Sequence, residues 1–246
     1  MNIYFLSGLP RSGNTLLSSI LNQNNNLKIT ANSFLPQIFY YLFSLKKEKY
    51  FLNFPDHNSI DNVINNIHKN YYQNWNVENI IERASWGIEA YLNILQQIKK
   101  ERKFILLVRP VLEVLASFIK IEKPQNIHEK CDELMGYYGM IGMSLNSTKN
   151  IILKKETYIL INFNDLISDT ENQVKKIYDF LNIPFYKHDY KNLNQLKINN
   201  VEYDDSLLSA NYHTIKTEGI NYNKYLISDY LPNDIIKKYS NLDCWL

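Results

Sequence analysis

The sequence predicts an α/β fold in three layers, with a central, mainly parallel sheet flanked by helices. Three observations carry that prediction. Short apolar runs at residues 2–7, 103–108 and 157–163 have the continuous hydrophobicity of strands covered on both faces. Segments with helical apolar spacing alternate with them. Alternation of this kind joins parallel strands through right-handed crossovers.

Taken in order, residues 2–7 form a buried strand and 14–23 a helix. Residues 24–33 are a polar turn with a short strand over 27–30. Residues 34–49 (FLPQIFYYLFSLKKEK) form an aromatic-rich helical stretch, broken over 50–58, where Pro55 lies. The stretch 59–72 has helical spacing at Ile60, Val63, Ile64 and Ile67. A second short strand spans 77–82, and a helix follows over 86–100. After the strand 103–108, residues 110–120 read as a helix with Pro110 favoured in its first turn, and 127–149 as one further helix. The strand 157–163 leads through cap-like residues into a helix over 164–183. Residues 184–246 are less periodic, with a last helical piece near 234–239. No internal repeat or low-complexity linker divides the chain, so residues 1–246 are expected to form a single domain.

Composition narrows the class. The 246 residues are 45% hydrophobic and 21% charged, as in an ordinary globular protein. A net charge of +2 gives no electrostatic case for nucleic acid or an anionic membrane. Cys131 and Cys244 stand in no metal-ligand spacing and are expected to be reduced structural thiols. The first apolar run is too short for a signal peptide, and nothing approaches the ~18 apolar residues of a membrane span, so a cytoplasmic location is expected. Nearly every basic residue is lysine; only Arg11, Arg83, Arg102 and Arg109 carry the rigid guanidinium fork.

Between the first strand and the first helix lies SGLPRSGNT. Gly8, Gly13 and the small residues around them let backbone N–H groups approach a ligand, and the helix directs its positive end to the same point. That favours an anion at the carboxyl end of the strand, where α/β folds bind ligands. The spacing Gly8-x4-Gly13-Asn14-Thr15 has the shape of the nucleotide P-loop, with Asn14 where the lysine should stand. The cation sits inside the loop instead, as Arg11. No later strand ends in a magnesium-binding Asp, so the anion is not expected to be ATP–magnesium. A plain glycine turn before a helix is the competing reading.

A second arrangement of the same kind is KFILLVRPVLEVLASFIK, with Arg109 at a strand end and Ser117 eight residues on, about two helical turns away. Arg109 can grip a phosphate with two parallel N–H bonds, and Ser117 can donate to the same group. A lone arginine after a strand is as often a surface residue; the pairing with the first motif is what argues for a site.

These motifs resemble those of the sulfotransferases. LSGLPRSGNTLL resembles their 5′-phosphosulfate loop, usually PKSGTT or PRSGTT, and LLVRPVLEVLASF their 3′-phosphate motif. YILINFNDLISDTENQVKKIYDFLNIP is similar to the strand, Tyr-Glu-Asp-Leu, helix and Phe-Leu-Gly segment that comes next. Order and spacing match over about residues 2–185, most like the bacterial and tyrosylprotein-type branch with its arginine in the first loop. The resemblance implies a P-loop-like fold, 3′-phosphoadenosine 5′-phosphosulfate (PAPS) as donor, and no metal. It implies that Arg11, the amides of Ser12, Gly13, Asn14, Thr15 and Leu16, and the Thr15 hydroxyl hold the 5′-phosphosulfate. Arg109 and Ser117 would hold the 3′-phosphate, and His213, Thr214 and Lys216 of the HTIK stretch would close over the nucleotide, the competing reading being solvated loop residues. Sulfuryl transfer carries less charge than phosphoryl transfer, so fixed donors and Arg11 can serve without magnesium.

Two departures stand out, and one match. Asn14 replaces the first threonine of GTT. Phe163 stands where the family often has Tyr, so it reads either as a lost hydroxyl contact or as core. The strand 77–82 ends in IIERASW, where relatives place a Lys or Arg at the leaving bridge; Arg83 matches, with a surface Glu82–Arg83 pair as the alternative. The acceptor needs a general base. Glu82 is the favoured candidate, ahead of Asp56 and His57. The aromatic stretch 34–43, with Phe51, Phe54 and Trp75, is either an acceptor pocket or core. The acceptor is expected to be a small molecule, carbohydrate or peptide. A P-loop kinase-like phosphotransferase and a non-catalytic nucleotide-binding protein are the alternatives.

Overall fold

The apolar runs pair as parallel strands. In chain order they are β1 (Asn2–Gly8), β2 (Leu27–Ile29), β3 (Asn79–Arg83), β4 (Lys103–Val108) and β5 (Thr157–Asn162). The structure is a computed structural model and describes residues 1–30, 32–208, 212–215, 219–220 and 226–245. The sheet order is β2-β3-β1-β4-β5, and every pairing in it is parallel. A parallel pair cannot close through a hairpin, so helices carry the chain back between strands.

The pleat sends alternate side chains to opposite faces. Ile3 and Phe5 of β1, Ile80 of β3 and Phe104, Leu106 and Val108 of β4 share one face. They pack under α2 (Leu35–Leu45), α4 (Asn58–Tyr71) and α5 (Glu89–Ile98), which contribute Leu35, Phe39, Ile64, Leu92 and Leu95. Leu6, Ile81, Ile105, Leu107 and Ile161 take the other face, against α1 (Asn14–Leu21) and α10 (Thr170–Leu181). A third cluster gathers α6 (Val111–Glu122), α7 (Ile127–Met135), α8 (Met140–Leu153) and α11 (Asn233–Lys238). Phe5 is completely buried at the centre of the sheet, and burying such a side chain stabilises by about 1.5–3 kcal/mol. A small antiparallel pair, β6 (Lys197–Ile198) with β7 (Val201–Glu202), lies in the tail.

Several boundaries differ from the expectation. The aromatic helix stops at Leu45, and a short α3 (Lys49–Asn53) follows it. Residues 127–149 are two helices rather than one, parted by extended backbone at Gly136 and Gly139. At Gly139 a side chain would place its Cβ 2.1 Å from the Glu133 carbonyl, so the break needs glycine. Residues 164–183 likewise divide into α9 (Phe163–Ser168) and α10, with Asp169 in a non-helical conformation between them. Among the described residues no helix is long and apolar enough to cross a membrane.

Candidate active site

The crevice at the carboxyl ends of β1 and β4 is where helix direction changes sides, the place such sheets bind ligands. Its wall is the loop that leaves β1. Gly8 lets this loop start flush against β4: a Cβ there would sit 2.1 Å from the Leu107 carbonyl. Arg11 and Gly13 take the left-handed conformation, with φ of 59° and 87°, which turns the chain into α1. Gly13 is the residue that caps α1, and no side chain caps that end. The first-turn N–H groups of a helix have no intrahelical partner, so they point into the crevice. Ser12 is buried, and Asn14 donates from Nδ2 to the Leu9 carbonyl at 2.9 Å. The Asn14 side chain therefore clasps the loop from within.

Arginines from two strand ends meet here. Arg11 Nε donates to Ser117 Oγ on α6 at 3.4 Å, and Arg11 Nη1 to the Tyr212 carbonyl at 3.3 Å. Its guanidinium also lies 5.9 Å from the Tyr212 ring centre. Arg109, only 3% exposed, donates from Nη1 to the Arg11 carbonyl at 3.1 Å and from Nε to Glu113 Oε2 at 3.0 Å. Its guanidinium stacks 4.6 Å from the Phe163 ring, and the same ring would lie 2.8 Å from a Cβ at Gly13. Phe163 is thus the floor beneath both the loop and Arg109. Asn164 Nδ2 completes the set, donating to Glu113 Oε1 at 3.4 Å.

The family model described as "Sulfotransferase family" matches residues 4–187, three quarters of the chain. The chain belongs to the sulfotransferase family. Among solved structures it is similar to mouse sulfotransferase SULT7A1 complexed with PAP, at 13% identity and TM-score 0.56, covering 98% of this chain and 82% of that one. It is also similar to the sulfotransferase domain of the Synechococcus PCC 7002 olefin synthase, at 17% identity and TM-score 0.51, covering 99% and 84%. A sulfotransferase from Alicyclobacillus acidocaldarius matches at 14% identity and TM-score 0.51, covering 75% and 82%. Among curated proteins none matches.

In this sulfotransferase the two residues at the end of β3 face opposite ways, which removes the surface Glu82–Arg83 pair considered from the sequence. Arg83 follows Ile81 onto the α1 face, as the pleat requires. Its N–H bonds Thr30 Oγ1 at 2.9 Å, and Nη1 donates to Asn32 Oδ1 at 3.3 Å. Burial pushes the guanidinium pKa down, and the nearby Tyr203 phenol acts against that shift. Glu82 points to the other face and is completely buried. Ser33 Oγ donates to Glu82 Oε1, and His68 Nε2 lies 3.3 Å from Oε2. The Glu82 carboxylate does not reach the surface of the crevice. Tyr72 shares this pocket, and burial followed by the Glu82 charge raises its phenol pKa.

Asp56 and His57 are exposed on the stretch before α4; Asp56 accepts from the Ser59 N–H, and His57 stacks on Phe51. The aromatic helix divides its side chains. Leu35, Pro36 and Phe39 enter the core, while Tyr40 and Tyr41 face out. His213 and Thr214 lie on a strap over residues 212–215 beside Arg11, and Lys216 falls outside the described residues. Sequence reasoning missed Glu113, although its position four residues after Arg109 on one helix face is a readable signal. It also missed Tyr203, Asp205 and Tyr212, for which no local pattern exists.

Proposed function

We propose that this sulfotransferase takes its sulfuryl group from PAPS and passes it to a hydroxyl or amine of a small-molecule, carbohydrate or peptide acceptor. The setting is the cytoplasm, and residues 1–246 act as a single domain. The observation that carries the donor reading is the convergence of Arg11, Arg109 and Ser117 from two adjacent strand ends. Their chemistry fits a nucleotide with two separate anionic groups. The glycine-lined loop offers amides and no side chain at Gly13, where a Cβ would already meet Phe163. When bound, PAPS supplies an activated sulfur–oxygen bond.

The chain's own groups then have distinct tasks. The amides of Ser12, Gly13, Asn14, Thr15 and Leu16, with the Thr15 hydroxyl, hold the 5′ end. Arg11 adds a positive charge where charge develops on the moving group, the placement that stabilises a transition state most. Arg109 and Ser117 take the 3′-phosphate. Arg83, at the end of the next strand, assists the leaving group. Glu82, fixed by Ser33 and His68, is a positioning residue that holds the end of β3 and so Arg83. The reading assigns no metal.

Calorimetric titration of the full chain with adenosine 3′,5′-bisphosphate tests it. Binding is expected, with Arg11→Ala weaker by tenfold or more, the consequence of losing one charged hydrogen bond. AMP, which lacks the 3′-phosphate, should bind at least tenfold more weakly than the bisphosphate. Equal affinity for AMP and the bisphosphate would refute the second anion site.

A further inference from the structure

The tail holds a hydrogen-bonded pair at His213, a residue that the resemblance set over the nucleotide and whose acid–base chemistry the donor assignment leaves unused. Both oxygens of the Asp205 carboxylate grip one residue: Oδ1 lies 2.5 Å from His213 Nδ1, and Oδ2 accepts the His213 backbone N–H at 2.7 Å. A carboxylate accepts, so Nδ1 carries the proton and the lone pair of the neutral ring is at Nε2. The Tyr203 ring stacks on the imidazole, 4.4 Å between centres and 19° between planes. Gln195 anchors the strap from behind. Its Nε2 donates to the Ile215 carbonyl at 2.6 Å, and its Oε1 accepts the Ile215 N–H at 3.0 Å.

A hydrogen bond and an electrostatic effect place this pair beside the transfer site. The residue before His213 is Tyr212, whose carbonyl accepts from Arg11. The ring stacked on His213 belongs to Tyr203, the phenol that acts on the charge of Arg83. His213 thus follows directly on the residue whose carbonyl Arg11 holds, at the exit of β1. It opens on a polar cavity of about 200 Å³ lined by Gln195, Glu202, Tyr203, Asp205 and Thr214. The other candidate bases lack this setting: Glu82 is sealed in the core, and Asp56 and His57 are exposed before α4.

We propose that His213, oriented by Asp205, is the base that takes the acceptor's proton, and that this cavity admits a hydroxyl on a small polar group about one ring in size. The assignment rests on the PAPS reading above. The acceptor O–H proton passes to His213 Nε2 as the acceptor oxygen bonds to sulfur. The bond from sulfur to the bridging oxygen breaks, and its electron pair leaves with the nucleotide phosphate. Asp205 holds the ring in the required tautomer and stabilises the imidazolium that forms.

The test uses the full chain as wild type, His213→Gln and Asp205→Asn, in two measurements. In the first, calorimetry with adenosine 3′,5′-bisphosphate, all three are expected to bind within about threefold, because a base contributes to rate rather than nucleotide affinity. A wild type that does not bind refutes the donor reading. A tenfold or greater loss in His213→Gln alone overturns the base and makes His213 a nucleotide ligand. The second runs the reaction backwards, from aryl sulfates to the bisphosphate. There the His213 imidazolium must protonate the departing oxygen. Phenyl sulfate, with its basic leaving group, should lose about 100-fold in His213→Gln, within the usual range for general acid catalysis. 4-Nitrophenyl sulfate, whose leaving group needs little help, should lose less than about fivefold. Asp205→Asn should follow the same order. An equal loss across the two esters, no loss, or a wild type that binds the bisphosphate yet exchanges neither ester would each overturn the proposal.

Discussion

Arg109→Met is the substitution that asks most of the structure. Methionine keeps much of the apolar stem and removes the guanidinium. Three partners lose it together: Glu113 at 3.0 Å, the Arg11 carbonyl at 3.1 Å and the Phe163 ring at 4.6 Å. A hydrogen bond to a charged group contributes about 1.5–3 kcal/mol, and a desolvated cation–π contact about 2 kcal/mol. These figures overlap, since one guanidinium supplies all of them. Removing one member of a buried ion pair costs about 3–5 kcal/mol, much of it from the charge left behind. Glu113 keeps Asn164 and a side-chain exposure of 21%, which softens that penalty, so the expected loss is about 3 kcal/mol. Urea unfolding followed by the fluorescence of the buried Trp86 measures it. The double variant Arg109→Met/Glu113→Gln should recover at least about 1 kcal/mol, because the stranded carboxylate is gone. Under conditions where the single variant stays folded, its affinity for adenosine 3′,5′-bisphosphate should fall at least tenfold. A single variant within about 1 kcal/mol of wild type, or a double variant no more stable than the single, would refute the argument that Arg109 ties the loop to α6 and α9.

Two further outcomes follow from other parts of the molecule. Gly13→Ala adds a Cβ 2.8 Å from the Phe163 ring at a φ of 87°, where an L side chain costs about 1–2 kcal/mol before any clash. Bisphosphate binding should be lost while the circular dichroism of the helices is retained; an unchanged dissociation constant would show that the loop is not the cradle. His188 is 5% exposed, hydrogen-bonded to Tyr178 at 3.0 Å, and burial pushes its pKa from 6.5 down to about 4. Its folded pKa lies below the unfolded one, so the unfolded chain binds the proton more readily. Stability from this site is present above about pH 6.5 and is lost as the pH falls towards 4, by about 1.4 kcal/mol per pH unit and about 3 kcal/mol in all. Urea melts across that window should show the stability difference between wild type and His188→Gln shrinking as the pH drops; a difference independent of pH would refute the buried neutral imidazole.

How much was legible depended on how local each signal is. The strand 103–108 was readable because the five consecutive apolar residues 104–108 cannot sit on a half-wet helix, and Arg109 was placed by ending that run. The loop was readable for the same reason: glycines, an arginine and hydroxyls between a strand and a helix have few other uses. The merged helix over 127–149 failed because Gly136 and Gly139 are tolerated within a periodic pattern, and only the close packing at Gly139 shows that the chain must break there. Glu82 and Arg83 looked like one feature because they are adjacent in sequence. The pleat separates them by the thickness of the sheet, which makes one a core group and leaves the other at the strand end. The contact between Arg11 and Tyr212 spans 201 residues, and no periodicity or spacing encodes a pairing at that range.

The central position of β1 has a consequence for how the chain is made. Of the five strands it is synthesised first, yet its edge contact with β3 joins Asn2 to a partner 77 residues later, and its other neighbour comes later still. Until those segments leave the ribosome, a strand containing Phe5 and Leu6 has no native partner to zip onto. Folding of the sheet must therefore wait on translation, and β1 is the apolar strand that the nascent chain carries unpartnered for longest.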